Sequence, residues 1–201
     1  MSLSPPSSVP RLAAPGAGLP PIELRVARVL FAWARWRGSR EIFTRQFERE
    51  REAILSLARS SPPKIAAQRV LIERLPGMED SSRYWSVWMT LDHLRIVNLG
   101  MAATIRSLGN GVVPEREART ADVKPDTAAD AASVENFERS CDMFLKTAAK
   151  IPGLKTPLRH AHPWFGLLNA QGWYALGGSH LKLHRRQIER ILAGAQKQIL
   201  S

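Results

Sequence analysis

Ser179-His180-Leu181-Lys182-Leu183-His184-Arg185-Arg186-Gln187 sets two histidines four residues apart, with a glutamine three residues further on. Neither Gly nor Pro interrupts the run, which continues through Ile188-Glu189-Arg190-Ile191-Leu192. The stretch therefore reads as helix. Positions i and i+4 share one helix face, so both imidazoles project the same way, about one turn apart. Trp173, Leu176, Gly177 and Ile191 fall on that same face, which makes it the stripe that faces a core. A polar ring in such a stripe needs a partner. Neighbouring hydrogen-bonding groups or ordered water could serve, and so could a divalent metal. The helix supplies only two ligands, and metal sites of this kind use three or four, so further ligands must come from elsewhere in the chain.

Upstream, His160-Ala161-His162-Pro163-Trp164-Phe165-Gly166 precedes the same pattern. Pro163 fits the first position of the last helix, which predicts one element from there to about residue 196. Along a straight helix residue 164 lies roughly 24 Å from His180 at 1.5 Å per residue. On that reading His160 and His162 are helix-entry residues and cannot share a site with His180 and His184.

The rest of the chain supplies amphipathic helices. Residues 22–38 place Ile22, Val26, Val29, Leu30, Trp33 and Trp36 on one face and Arg25, Arg28 and Arg35 on another. Basic residues with interleaved Trp suit a membrane surface or a nucleic acid. They equally suit a peripheral helix packed on its own bundle or on a second subunit, the reading we favour because arginine on a solvated helix face is common. So large an apolar stripe should be covered by one or the other. Ser39 is an N-cap for a helix over residues 40–59, with Phe43, Phe47, Ile54, Leu57 and Ala58 as its core stripe. A short helix should run from Pro63 to about Leu75, where Pro76-Gly77 ends it. A long one should span residues 81–108, with Leu94, Val97, Met101, Ile105 and Leu108 inward and His93 at the edge of that stripe. Asp92 is rotated about 100° from His93 and points elsewhere. The polar segment 111–126 is longer than most connections inside a bundle, and lets the flanking helices run parallel. A helix over residues 128–150, capped by Thr127, places Phe137, Cys141 and Phe144 in the core.

Composition narrows the function classes without choosing one. The chain has 201 residues, with 29 Lys+Arg against 18 Asp+Glu, a formal net charge of +11. That balance permits weak, non-specific contact with polyanions, but no recognition-helix or base-stacking motif accompanies it. A sequence-specific nucleic-acid partner is therefore not expected. One cysteine, Cys141, rules out an intrachain disulfide framework and suits a reducing compartment. Residues 1–21 are rich in Ser, Pro, Gly and Ala, with no apolar run of signal-peptide length, and read as a disordered leader. No stretch reaches the roughly 20 apolar residues of a membrane span. The expectation is a cytoplasmic protein with a leader over 1–21, an amphipathic helix over 22–38 and one bundle domain over 39–201.

The segment Trp85-Ser86-Val87-Trp88-Met89-Thr90-Leu91-Asp92-His93-Leu94 resembles the second-helix motif of the DinB/YfiT-like metalloenzyme superfamily. His162-Pro163-Trp164-Phe165-Gly166, followed by His180-x-x-x-His184-x-x-Gln187-Ile188, is similar to the last-helix motif of one of its subfamilies. The resemblance runs from about residue 40 to 196 and leaves out the leader and first helix. It implies an all-α, up-down-down-up four-helix bundle, here with an extra N-terminal helix. It also implies a divalent metal held by His93, His180 and His184. The family includes S-transferases that use low-molecular-weight thiols, an isomerase, and members without an assigned activity or without the histidines. Three imidazoles leave a coordination position open, the arrangement of a catalytic site. Imidazole-only ligation suits Zn, Ni, Fe or Cu. Gln187 lies on the stripe and could orient a ligand. The implied partner is a small-molecule substrate, with a homodimer as a further expectation. A non-catalytic interaction bundle with a vestigial site, or a basic membrane- or nucleic-acid-binding protein, are the alternatives.

Overall fold

The computed structural model describes residues 10–200. The expected leader therefore lies partly outside the described residues. Over residues 10–20 the chain is held in place: the Ala13 amide donates to Asp80, those of Gly16 and Gly18 to Glu79, and Leu19 is buried.

Six α-helices make up most of the remainder: α1 Pro21–Arg37, α2 Arg40–Ser60, α3 Pro63–Ala67, α4 Val87–Gly109, α5 Ala132–Ala149 and α6 Ala170–Leu200. Two short antiparallel hairpins pair β1 Val70–Leu71 with β2 Tyr84–Trp85, and β3 His160–His162 with β4 Gly166–Leu168. The bundle consists of α2, α4, α5 and α6. Ser39 caps α2, its hydroxyl accepting the Ile42 amide, and Ser86 caps α4 by accepting from Met89.

Side-chain pairings give the helix directions. Asp92 meets the Asp126 amide, Asn98 meets Ser140, and a Cβ added at Gly109 would strike Ile151, so α4 and α5 run parallel. Thr44 meets Tyr174 and Glu50 meets Arg185, so α2 and α6 are parallel as well. Arg40 reaches the Ala148 carbonyl while Arg51 reaches Asp142, so α2 opposes α5. The order is up, down, down, up, and the loop between α4 and α5 is the crossover that allows it.

Phe47, Phe137, Phe144, Ile54, Leu91, Leu94, Ile105, Leu181 and Ile188 fill the centre and are essentially inaccessible. Gly177 permits the close approach of α6 to its neighbours: a Cβ there would lie 2.6 Å from Phe144 and 3.0 Å from Phe47. The α2–α6 contact is fixed in register by Glu50, a buried carboxylate that accepts from Arg185 at 2.7 Å.

Several boundaries differ from the helical periodicity. The helix expected from Pro63 to about Leu75 ends at Ala67. Val70, Leu71 and Ile72 then alternate buried, exposed, buried, the two-residue period of a strand. The helix expected from residue 81 begins at Val87, because Tyr84 and Trp85 pair with β1 and Ser86 provides the N-cap. The helix expected from residue 128 begins at Ala132, after Asp126 and Asp130 accept the amides of Ala128 and Ala132 and turn the chain locally. Pro163 does not open the last helix. It stands in the turn between β3 and β4, Gly166 takes a φ of +68°, and α6 starts at Ala170. Of the two covers expected for the apolar stripe of α1, the bundle is not the one: Ile22, Val26, Val29, Leu30, Trp33 and Trp36 are all exposed in the single chain.

Candidate metal centre

His93 enters from α4, and His180 and His184 from α6. Their ligand atoms lie within 4.8 Å of one another, and the three could hold a metal ion. The Nε2 of His180 is 3.1 Å from that of His184 and 3.3 Å from that of His93. Two nitrogens on one tetrahedral zinc, each at about 2.0–2.1 Å, stand roughly 3.3–3.4 Å apart. Those two pairs are therefore spaced as ligands of a common ion would be.

The outer ring nitrogens set which atoms face inward. Nδ1 of His93 is 2.5 Å from the Val123 carbonyl oxygen, which can only accept, so that nitrogen carries the proton. Nδ1 of His184 is 2.6 Å from Oε1 of Gln187, and Nε2 of Gln187 donates to the Ser82 carbonyl at 2.7 Å. The amide orientation of Gln187 is thus dictated by Ser82, and it leaves Oε1 to accept from His184. Both imidazoles present a bare Nε2 lone pair to the centre. His180 can place one proton between three nitrogens and satisfy one neighbour, leaving lone pair against lone pair on the other side. A cation at the centre removes that conflict. It would also put the remaining proton of His180 on Nδ1, which is buried and lacks a hydrogen-bond partner. The residues present fit a divalent ion.

The surroundings keep these rings neutral. Burial pushes His93 down to about 4, with the Lys124 charge acting in the same direction and the Val123 hydrogen bond against it. Burial also holds His180 and His184 well below the usual imidazole range, reinforced by the neighbouring rings. Neutral imidazole is the ligating form. Trp85, itself buried, walls the site, its ring centroid 5.1 Å from that of His93 and its plane nearly parallel to that of His184 at 6.2 Å. The Lys124 ammonium lies over the Trp85 ring at 5.3 Å, tied to Ser81, Ser82 and Glu79. His180 is the least buried of the three residues, so approach from solvent is on its side.

The other candidates fall outside the cluster. Asp92 accepts from Arg95 and from the Asp126 amide, as its rotation on α4 required. His160 and His162 lie on β3, against Trp173 at 5.8 and 5.2 Å between ring centroids. The 24 Å separation inferred from a continuous helix does not hold. The hairpin folds His162 back along α6, near enough to disfavour charge on His180. Neither residue joins the three-histidine cluster. Val123, Ser82 and Lys124 were not anticipated. The first two act through backbone carbonyls, for which no side-chain pattern exists, and Lys124 sits in a loop without periodicity.

Residues 46–188 match the family model of the DinB superfamily. No curated protein matches the chain. Among solved structures the chain is similar to TT2238, described as a four-helix bundle protein, with a TM-score of 0.53 at 20% identity. That alignment covers 73% of this chain and 95% of the other, and it shows the shared fold alone.

Proposed function

Because the chain belongs to the DinB superfamily, we propose that it is a divalent-metal-dependent enzyme with His93, His180 and His184 as its ligands. Transfer or isomerisation with a low-molecular-weight thiol is the reaction class. The convergence of three Nε2 atoms, two of them with tautomers set by Val123 and Gln187, is the observation that carries this reading. A bound divalent ion would polarise a coordinated group and lower the pKa of a water or thiol.

The chain's own residues supply the rest. Val123 and Gln187 hold two rings so that no proton competes for the centre. Trp85 excludes water from one side and gives the site a low-dielectric wall. His180 is the least buried of the three residues, and a small molecule would approach from its side.

Elemental analysis of untagged protein tests the reading. Wild type should take up close to one equivalent of Zn, Ni, Fe or Cu at neutral pH. His184→Ala should lose most of it while keeping its helical circular dichroism, and His160→Ala and His162→Ala should retain it. Adding a low-molecular-weight thiol to the cobalt-loaded protein should change the visible spectrum. A wild type that stays metal-free after incubation would remove the chemistry and leave a bundle whose role is association.

A further inference from the structure

The α1 helix lies outside the family match, which starts at residue 46. It is fixed to the body by one face. The Phe31 ring packs tilted against that of Phe165 at 4.6 Å, Arg28 donates to the Trp164 carbonyl, and Glu23 pairs with Arg74 and accepts the Gly77 amide. The opposite face carries Ile22, Val26, Val29, Leu30, Trp33 and Trp36, exposed by 53 to 80%. No residue of α1 is buried.

We propose that this face is the interface with a second copy of the same chain, paired helix to helix across a two-fold axis. Three observations support that occupant. First, residues 22, 26, 29, 33 and 36 repeat at intervals of four, three, four and three. That spacing suits a seam packing knobs into the holes of a facing helix. Second, the six side chains present on the order of 700 Å² of apolar surface, more than the largest patch of a typical monomer and close to the roughly 800 Å² per partner of a standard interface. Third, Arg28 and Arg35 sit on the anchored side of the helix, beside Trp164 and Phe31, and leave the centre of the apolar face uncharged. Arg28 holds Trp164, Arg37 stacks over Trp33 at 5.2 Å, and Arg35 lies 6.0 Å from Phe31. The one acidic residue of the helix, Glu23, is paired with Arg74. The association is therefore apolar at its centre and basic at its margins, and salt should strengthen it by screening the margins.

Light scattering coupled to size exclusion on the full chain, at tens of micromolar, should give twice the 22.4 kDa chain mass. Val29→Asp and Trp33→Asp, made separately, should each weaken the dimer on the order of 100-fold. Their circular dichroism should be unchanged, since both positions are exposed. High salt should leave the dimer intact or tighten it. A monomer under these conditions overturns the proposal, and so does a dimer that survives both substitutions. Salt-sensitive sedimentation of a monomer with phosphatidylserine vesicles would assign the face to lipid instead. Metal content does not enter any of these readouts, so the result is independent of the proposed metal chemistry.

Discussion

Replacing Gln187 with methionine keeps the volume of a fully buried side chain and deletes both of its hydrogen bonds. Nδ1 of His184 loses its acceptor and the Ser82 carbonyl loses its donor. Each orphaned group costs about 1–3 kcal/mol, partly offset by the better apolar transfer of the thioether. The net destabilisation should be about 2–4 kcal/mol, which for a chain of this size lowers the melting temperature by roughly 5–15 °C. The second effect is on metal affinity. Without Gln187 the His184 ring is free to rotate and to adopt either tautomer, and loss of such an outer-shell partner costs about 10–100-fold. Competition with a chromophoric zinc chelator would measure the affinity, and calorimetry of the metal-free protein would measure stability. Gln187→Glu separates the two effects. A carboxylate still accepts from His184 but repels the Ser82 carbonyl, so stability should fall while affinity recovers. A Gln187→Met protein that binds metal within a factor of two of wild type would refute the argument that Gln187 orients His184.

The buried histidines make the metal-free protein sensitive to mild acid. Above pH 6.5 both the folded and unfolded states hold a neutral His93. Between 6.5 and about 4 the unfolded chain takes a proton that the folded one refuses, so stability falls through that window and levels off below it. The displacement corresponds to about 3 kcal/mol for His93, and His180 and His184 act in the same direction. Urea titrations from pH 8 to 4 should show this slope, reduced in His93→Gln; equal slopes would remove His93 from the account. Cys141 is buried, its thiol pushed up to about 12 by desolvation. At pH 8 about one thiol in ten thousand is ionised, so an aromatic disulfide reagent should label it only at the unfolding rate. Complete labelling within minutes, with native circular dichroism, would contradict that burial.

The side-chain spacing of His180 and His184, the rotation of Asp92 away from His93 and the inward positions of Phe137, Cys141 and Phe144 could all be read from residue order. Helical periodicity projects each side chain onto a face whatever the helix packs against. The length of the loop after α4 likewise indicated a crossover, because a short loop forces neighbours antiparallel. That His93 belongs with the other two came only from a family resemblance, since nothing within one helix indicates what a distant helix will bring to it. Tertiary structure decided the rest. Pro163 is equally at home at a helix start and in a hairpin turn, and the pairing of His160 with Leu168 settled between them. Val70 to Ile72 alternate over too few residues to outweigh a helical reading until Tyr84 and Trp85 pair with them. The carbonyls of Val123 and Ser82 orient the histidine cluster through atoms that every residue possesses, so only the path of the backbone could place them. The uncovered face of α1 was visible as an apolar stripe, but that the bundle leaves it open depends on which of its two faces Phe31 anchors.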